Sequence, residues 1–424
     1  MELDLLSLLS TRENFKRFSP LISRAWEERL NEDIRYIFKD ILSYFNLNKD
    51  KDKIDWVEFK SWITLEHPAL SGEKLNRIFA MCDAVSQTSI NGSSAVFQKL
   101  CERYWAMQIN KTTSEIIAGD ASMENVQEMV YEYSRELDDS STELKEIEMD
   151  SQSLLNQIKE LQNCKKYSWS IPELQLMLGD ITKGDLLIVA ARPDGGKTTF
   201  LSTQVVNWAK QLGDGCILYC NNEEAGGRIV LRQMQAALNW TSEEVMDDID
   251  ATYKAFTEKI GGDKIKMFDK ANMSIFDIQT AVERCESRYE MKAEIIIIDN
   301  LYKVHGFDQK NISTIERYAR LAQSVRELAK QYGPIICASQ LDASAADKKI
   351  PDLSSLYGSK TAIQGECDVA LLIGTIGAEP NTRFLRAVKN KLPSATPEFR
   401  SQGCAVGIDK ERAQLISHVG GPYV

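Results

Sequence analysis

Apolar positions in the first third of the chain recur with a helical period. Ile22, Trp26, Leu30, Ile34, Ile37, Phe38, Ile41, Leu42 and Phe45 fall on one stripe, which predicts a helical N-terminal region. Further helices are expected over 73–84, over 96–107 after the break at Asn-Gly-Ser-Ser (91–94), and over 124–137. The run NLNKDKDKIDW (46–56) reads as a charged turn. An EF-hand loop would need oxygen ligands at alternate positions, a central Gly and a terminal Glu, and here lysines intervene and the Gly is missing. From about residue 183 the texture changes. Short apolar runs (LLIVAA, CILYC, IKMF, EIIIID, IICAS, VALLIG and RFLRAVKN) alternate with helical patterns such as 198–211 and 312–331. That alternation predicts a mainly parallel sheet covered on both faces, an α/β domain following an all-helical one.

The join between the two has its own pattern. Residues 136–150, ELDDSSTELKEIEMD, hold seven acids and one lysine, a solvated connection. Leu154, Leu155, Ile158 and Leu161 then form a narrow apolar stripe on a short helix, suited to docking on a neighbour or to a peripheral place on its own chain. The expected organisation is a helical domain at 1–137, an acidic linker with its linker helix at 138–170, and an α/β domain at 171–424.

Composition adds limits. The 424 residues suggest two or three domains. A formal net charge of −11 argues against a surface that coats nucleic acid or anionic membrane as a whole. No apolar run approaches the ~20 residues that span a bilayer, and the first residues carry two acids in place of a basic signal region. Nine scattered cysteines without a CxxC pair, and only three histidines, fit reduced thiols in the cytoplasm better than a disulfide or zinc framework.

The chemistry concentrates at strand ends. After LLIVA comes ARPDGGKTTF (191–200), which fits G-x-x-x-x-G-K-[ST] with Ala191 in place of the first glycine. The candidate nucleotide cradle is Ala191, Arg192, Pro193, Asp194, Gly195, Gly196, Lys197, Thr198 and Thr199. Backbone N–H groups at the helix start hold phosphate, Lys197 reaches the β- and γ-phosphates, and the Thr198 hydroxyl coordinates Mg²⁺. Asp299 ends the strand EIIIID and is placed to hold the Mg²⁺ water shell. The strand CILYC runs into Asn-Asn-Glu-Glu, so Glu223 or Glu224 can orient and deprotonate an attacking water, and spacing does not separate the two. Gln340 ends a fourth strand and can report the γ-phosphate to the loop that follows.

With these four strand ends in order, residues 170–415 resemble the DnaB family of replicative helicases, which use a RecA-like motor. The Ala-Arg-Pro lead-in with alanine at the first glycine position, ILYCNNEEAGGRIVLRQM, EIIIIDNL and ASQLD carry the resemblance. It implies a RecA-like P-loop ATPase domain, ATP and Mg²⁺ as cofactors, Glu223 as the catalytic glutamate and Gln340 as the sensor. It also implies a trans pair. Where the family has Lys-x-Arg reaching into the neighbouring subunit's ATP, this chain has Lys389-Asn390-Lys391. An ammonium lacks the bidentate fork of a guanidinium, and nearby Arg386 is an alternative. A second departure, the longer DLSSLYGSKTAIQGECD in place of a compact turn, leans toward a phage or plasmid member.

The resemblance further implies a ring, expected to be a hexamer, that translocates 5′ to 3′ on single-stranded DNA and unwinds forked duplex in the cytoplasm (the host's, for a phage protein), with a separate primase and a loader as partners. The loops 303–314 and 342–355 would face the channel, with Lys303, Lys310, Lys348 and Lys349 as DNA-backbone contacts. The alternatives are a helicase loader or regulatory RecA-like ATPase, a recombinase-like filament and a nonenzymatic scaffold.

Overall fold

A computed structural model of the chain describes residues 2–19, 22, 30–70, 72–88, 94–123, 125–126, 129–130, 133, 150–306, 313–356, 362–393, 395–400 and 402–417. Two compact units emerge, Met1–Glu148 and Met149–Val424.

The first unit is helical in its described part. Its helices are α1 (Glu2–Leu8), α2 (Arg12–Phe18), α3 (Glu32–Leu47), α4 (Trp56–Glu66), α5 (Gly72–Gln87) and α6 (Ser94–Ala118). The apolar stripe read from the sequence is buried at Ile34, Ile37, Ile41 and Phe45, against Leu6, Phe15, Phe59, Ile78 and Trp105. Leu42, placed on the same stripe, is instead 50% exposed. The charged turn at 46–56 is stitched locally. Asp55 accepts from the Val57 and Glu58 N–H groups at 2.9 and 3.2 Å, capping α4, and Lys51 pairs with Glu58 at 2.8 Å. Helix α6 runs eleven residues past the expected end at Met107. Most of the expected helix at 124–137 and the acidic run through residue 149 lie outside the described residues.

The second unit begins with α7 (Ser151–Asn163), on which Leu155 and Ile158 are half exposed; the Leu161 side chain lies outside the described residues. A two-stranded ribbon of β1 (Lys166–Tyr167) and β2 (Ile181–Thr182) brackets α8 (Pro172–Leu178). There follow β3 (Leu186–Ala191), α9 (Lys197–Ala209), β4 (Cys216–Asn221), α10 (Gly226–Leu238), α11 (Ser242–Asp247), α12 (Ile249–Ile260), β5 (Ile265–Asp269), α13 (Ile275–Tyr289), β6 (Ala293–Asp299), α14 (Thr314–Gln331), β7 (Ile335–Gln340), α15 (Ala362–Glu366), β8 (Val369–Gly374), β9 (Thr382–Asn390), β10 (Gly403–Asp409) and β11 (Gln414–Ser417).

Nine of the described strands form one sheet in the order β11-β10-β9-β8-β3-β7-β6-β4-β5. The six from β8 to β5 are parallel, and β9, β10 and β11 extend the sheet antiparallel. The expected mainly parallel sheet is therefore present, and β10 and β11 are additions to it. Continuous apolar runs follow from burial on both faces. Ile295 and Ile297 join the core under α9 and α10, while Ile296 and Ile298 point the other way, toward the side of α13. All four are fully buried, each contributing about 1.5–3 kcal/mol of apolar burial. No described helix is long and apolar enough to cross a membrane.

Candidate active site

The parallel ladder sets the site. Ala191, the last residue of β3, pairs with Gln340, the last of β7, and Asn221 pairs with Asp299 at the ends of β4 and β6. Four strand ends thus lie along one edge, where α/β sheets bind ligands.

Between β3 and α9 the chain makes a tight loop. Gly195 N–H donates to Arg192 O at 2.9 Å, and Arg192 Nη1 reaches Leu341 O at 3.1 Å, tying the loop to the residue after Gln340. Asp194 has φ 59 and Gly196 φ 93. Gly196 therefore needs the freedom of glycine, and a Cβ on Gly195 would lie 2.7 Å from Arg192 O. The N–H groups of the first turn of α9 have no intrahelical acceptor and face outward as an anion cradle.

Lys197 projects from this turn into two carboxylates. Its Nζ pairs with Glu223 Oε2 and lies 3.2 Å from Asp299 Oδ1. Gln340 Nε2 donates to Glu223 Oε1 at 2.9 Å. The Tyr219 hydroxyl donates to Asp299 Oδ2 at 3.0 Å. Sequence reading left Glu223 and Glu224 unseparated by spacing, and the geometry separates them. Glu224 turns away and pairs with Arg232.

The electrostatics follow from burial and pairing. Burial opposes the charge on Lys197, but Asp299 and Glu223 overcome it and raise its pKa. Burial also opposes the Glu223 carboxylate, yet Lys197, Gln340 and the Lys303 charge together bring it below its ordinary value. Asp299 is 1% exposed, and burial with repulsion from Glu223 outweighs Lys197 and pushes its carboxyl up. Its buried Oδ1 faces only the Lys197 ammonium, at 3.2 Å. A buried carboxylate at a strand end and a threonine in the first turn of α9 are oxygen donors of the kind a hard divalent cation takes, so Asp299 and Thr198 are the residues that would hold Mg²⁺.

Several positioning residues escaped the sequence reading. Asp269, at the end of β5, accepts from Asn221 Nδ2 and from Gly226 N–H, both at 2.8 Å. It pins both ends of the segment that presents Glu223. Asn222 links across to the Asp299–Asn300 junction through Asn300 O at 3.1 Å, while its own N–H donates to Asp299 O at 2.8 Å. An Asp or Asn at a strand end was the only sequence signal, and it reads equally as an ordinary turn.

The remaining candidates fall elsewhere. Lys303 is exposed beside the site and acts on Glu223 through its charge. Lys348 pairs with Asp352 at 3.6 Å, and Lys349 with Glu379 at 3.5 Å while covering the Phe384 ring at 4.9 Å. Both are thus partly neutralised within the chain. Lys310 lies outside the described residues. Lys389 donates to the carbonyls of Gln364 and Gly365, and Lys391 is exposed beyond β9. Because β9 is antiparallel to β8, Lys389 pairs with Ala370 at the sheet edge opposite Lys197. Neither lysine can serve its own chain's phosphate loop from there.

Residues 167–412 match the DnaB-like helicase C-terminal domain. Among curated proteins, the chain is 25% identical over 200 residues to a replicative DNA helicase DnaB of Mycoplasma genitalium, covering 45% of this chain and 42% of that protein. It is 28% identical over 211 residues to the DnaB of Mycoplasma pneumoniae (46% and 44%) and 26% identical over 203 residues to a probable plasmid replicative DNA helicase of Chlamydia trachomatis (46% and 43%). The match thus spans less than half the length of these relatives. Among solved structures, a DnaB-like replicative helicase characterised with its primase interactions superposes with a TM-score of 0.56 at 17% identity, covering 98% of each chain. A second solved structure, of an ATPase domain, gives 0.52 at 18% identity, covering 63% of this chain and 97% of that one. These two likenesses concern the fold, which is that of a RecA-like ATPase domain behind a helical N-terminal region. With its family match covering more than half of its length, the chain belongs to the DnaB-like helicase C-terminal domain family.

Proposed function

We propose that the chain is an ATP-dependent replicative DNA helicase that assembles as a ring, expected to be a hexamer, and translocates on single-stranded DNA. The observation that carries this reading is the convergence of Lys197, Glu223, Asp299 and Gln340 on one sheet edge.

The nucleotide's phosphates bind the first turn of α9 and take Lys197 from Glu223. Thr198 and Asp299 would hold Mg²⁺, whose chemistry there would be neutralisation of phosphate charge. Glu223, released from Lys197, accepts the proton of the attacking water. Gln340 loses or keeps its bond to Glu223 according to nucleotide state, and so links the site to the loop that carries Lys348 and Lys349. Lys389 and Lys391, remote from their own phosphate loop, complete a neighbour's site. DNA binding through Lys303, Lys310, Lys348 and Lys349 follows the backbone and favours affinity over sequence. One structural neighbour is a replicative helicase solved with its primase interactions, which supports a separate primase as partner; a loader is expected from the family resemblance alone.

The test is forked-DNA unwinding by the purified chain with Mg·ATP, alongside native mass measurement with single-stranded DNA. Unwinding by closed rings is expected. ATP hydrolysis without unwinding, or filaments in place of rings, would overturn the helicase reading in favour of a loader-like ATPase or a recombinase-like filament.

A further inference from the structure

Strand β9 carries an arginine that the chemistry above does not use. Arg383 is 4% exposed. Its Nε donates to Gly195 O at 2.8 Å, and its Nη1 to Pro380 O and Thr382 O at 2.9 and 2.8 Å. Each of these partners is a neutral carbonyl. Among the described residues no carboxylate pairs with it, and Nη2, which has no hydrogen-bond partner there, is not among the atoms shut off from solvent. Burial alone lowers its pKa, with no acid opposing that effect.

Carbonyl acceptors offset part of the cost of withdrawing a cation from water, and a close anion would offset more. The chain supplies none. The location is informative. A Cβ placed on Gly196 would lie 3.2 Å from Arg383 Nε, so the guanidinium lies against the two glycines that precede Lys197. Gly196 is also the N-cap of α9, whose N-terminus already favours negative charge. Two features therefore favour an anion at the same place: a helix N-terminus, and a guanidinium held against it by neutral carbonyls with Nη2 left open to a ligand.

We propose that Arg383 is a positioning residue of the phosphate site, holding the Gly195 carbonyl turned toward itself and leaving its own charge to be balanced by the polyphosphate of a bound nucleoside triphosphate. This rests on the nucleotide reading of the loop. It adds a cationic group contributed by the chain's own β9, next to the loop and distinct from Lys197. Because the interaction is with charge, it grades with the charge of the ligand. A contact that served packing alone would weaken all nucleotides alike.

The experiment is calorimetric titration of the full chain with Mg·ATP and Mg·ADP, using wild type, Arg383→Gln and Arg383→Lys. Arg383→Gln should lose about tenfold or more in ATP affinity and clearly less in ADP affinity, and Arg383→Lys should recover most of the loss. Wild-type affinities in Arg383→Gln would overturn the proposal. So would an equal loss for both nucleotides that lysine does not repair. Should Arg383→Gln fail to fold by its melting curve, Arg383→Lys decides. An ATP-to-ADP affinity ratio near that of wild type supports the proposal, and a collapsed ratio overturns it. Failure of the wild type to bind either nucleotide would instead overturn the nucleotide reading itself.

Discussion

Gln340 Nε2 lies 2.9 Å from Glu223 Oε1, so the last residue of β7 is bonded directly to the carboxylate that faces Lys197. The bond spans 117 residues of sequence and joins two strand ends that have β6 between them. It ties the polar loop after β7 to the group proposed to activate water. Gln340→Ala should keep ATP affinity close to wild type and lose about fivefold or more of the stimulation of ATPase by single-stranded DNA. Undiminished stimulation would remove Gln340 from the coupling.

Glu223→Gln should cut turnover by roughly 10²- to 10⁴-fold. ATP affinity should hold or rise, because Lys197 loses a competing anion. Glu224→Gln, which only disturbs the Arg232 pair, should stay near wild-type turnover. Steady-state ATPase with equilibrium nucleotide binding checks both, and a larger defect in the Glu224 variant would reverse the assignment.

Asp269 touches no proposed ligand, yet it pins Asn221 and Gly226 on either side of Glu223. Asp269→Ala should lower kcat by about 10- to 100-fold with KM little changed, since a displacement of about an ångström at a reacting group has that effect. Asp269→Asn keeps one acceptor oxygen and should fall between the two. A fall in kcat/KM arising from KM alone would mean that Asp269 serves the loop's fold and not the placement of Glu223.

Asp299 should cost the nucleotide-free protein stability. Its carboxyl pKa is raised by burial, so the folded chain holds the proton longer than the unfolded chain does. Stability is therefore fullest in acid and erodes as pH rises from the ordinary aspartate value through the raised one. Glu223 works oppositely, stabilising above its ordinary value and losing that contribution as pH falls through its lowered one. Asp299→Asn removes the first effect and leaves Glu223 as the anion paired with Lys197. Without nucleotide its melting temperature should be at least that of wild type at neutral pH and decline less on going from acid to neutral, while the Mg·ATP-induced rise disappears. A clear drop in neutral-pH stability without nucleotide would contradict this.

The sequence made the motor's layout legible because strands buried on both faces must be apolar throughout, and catalytic side chains must stand where those runs stop. Lys197, Asp299 and Gln340 were read that way, and the structure brings them to one edge with Glu223. What stayed hidden depended on partners distant in sequence. Arg383 sits in RFLRAVKN, where a leading arginine reads as an exposed polar residue; only β10 and the loop at Gly195 bury it. Lys349 reads as a free cation until Glu379, thirty residues on, is seen to meet it. The end of α6 is not legible in the sequence because its last turns, through NKTTSE, are polar and carry little helical periodicity.

Strand β9 has one further consequence. Arg383 and Lys389 are six residues apart, about 20 Å along an extended strand, and lie at opposite edges of the sheet. If the first serves its own chain's phosphates and the second a neighbour's, no isolated chain contains a whole site. An open string of n chains then holds n − 1 complete sites, and a closed ring holds n. Ring closure itself becomes countable, as a step in ATP turnover per chain, before any DNA is unwound.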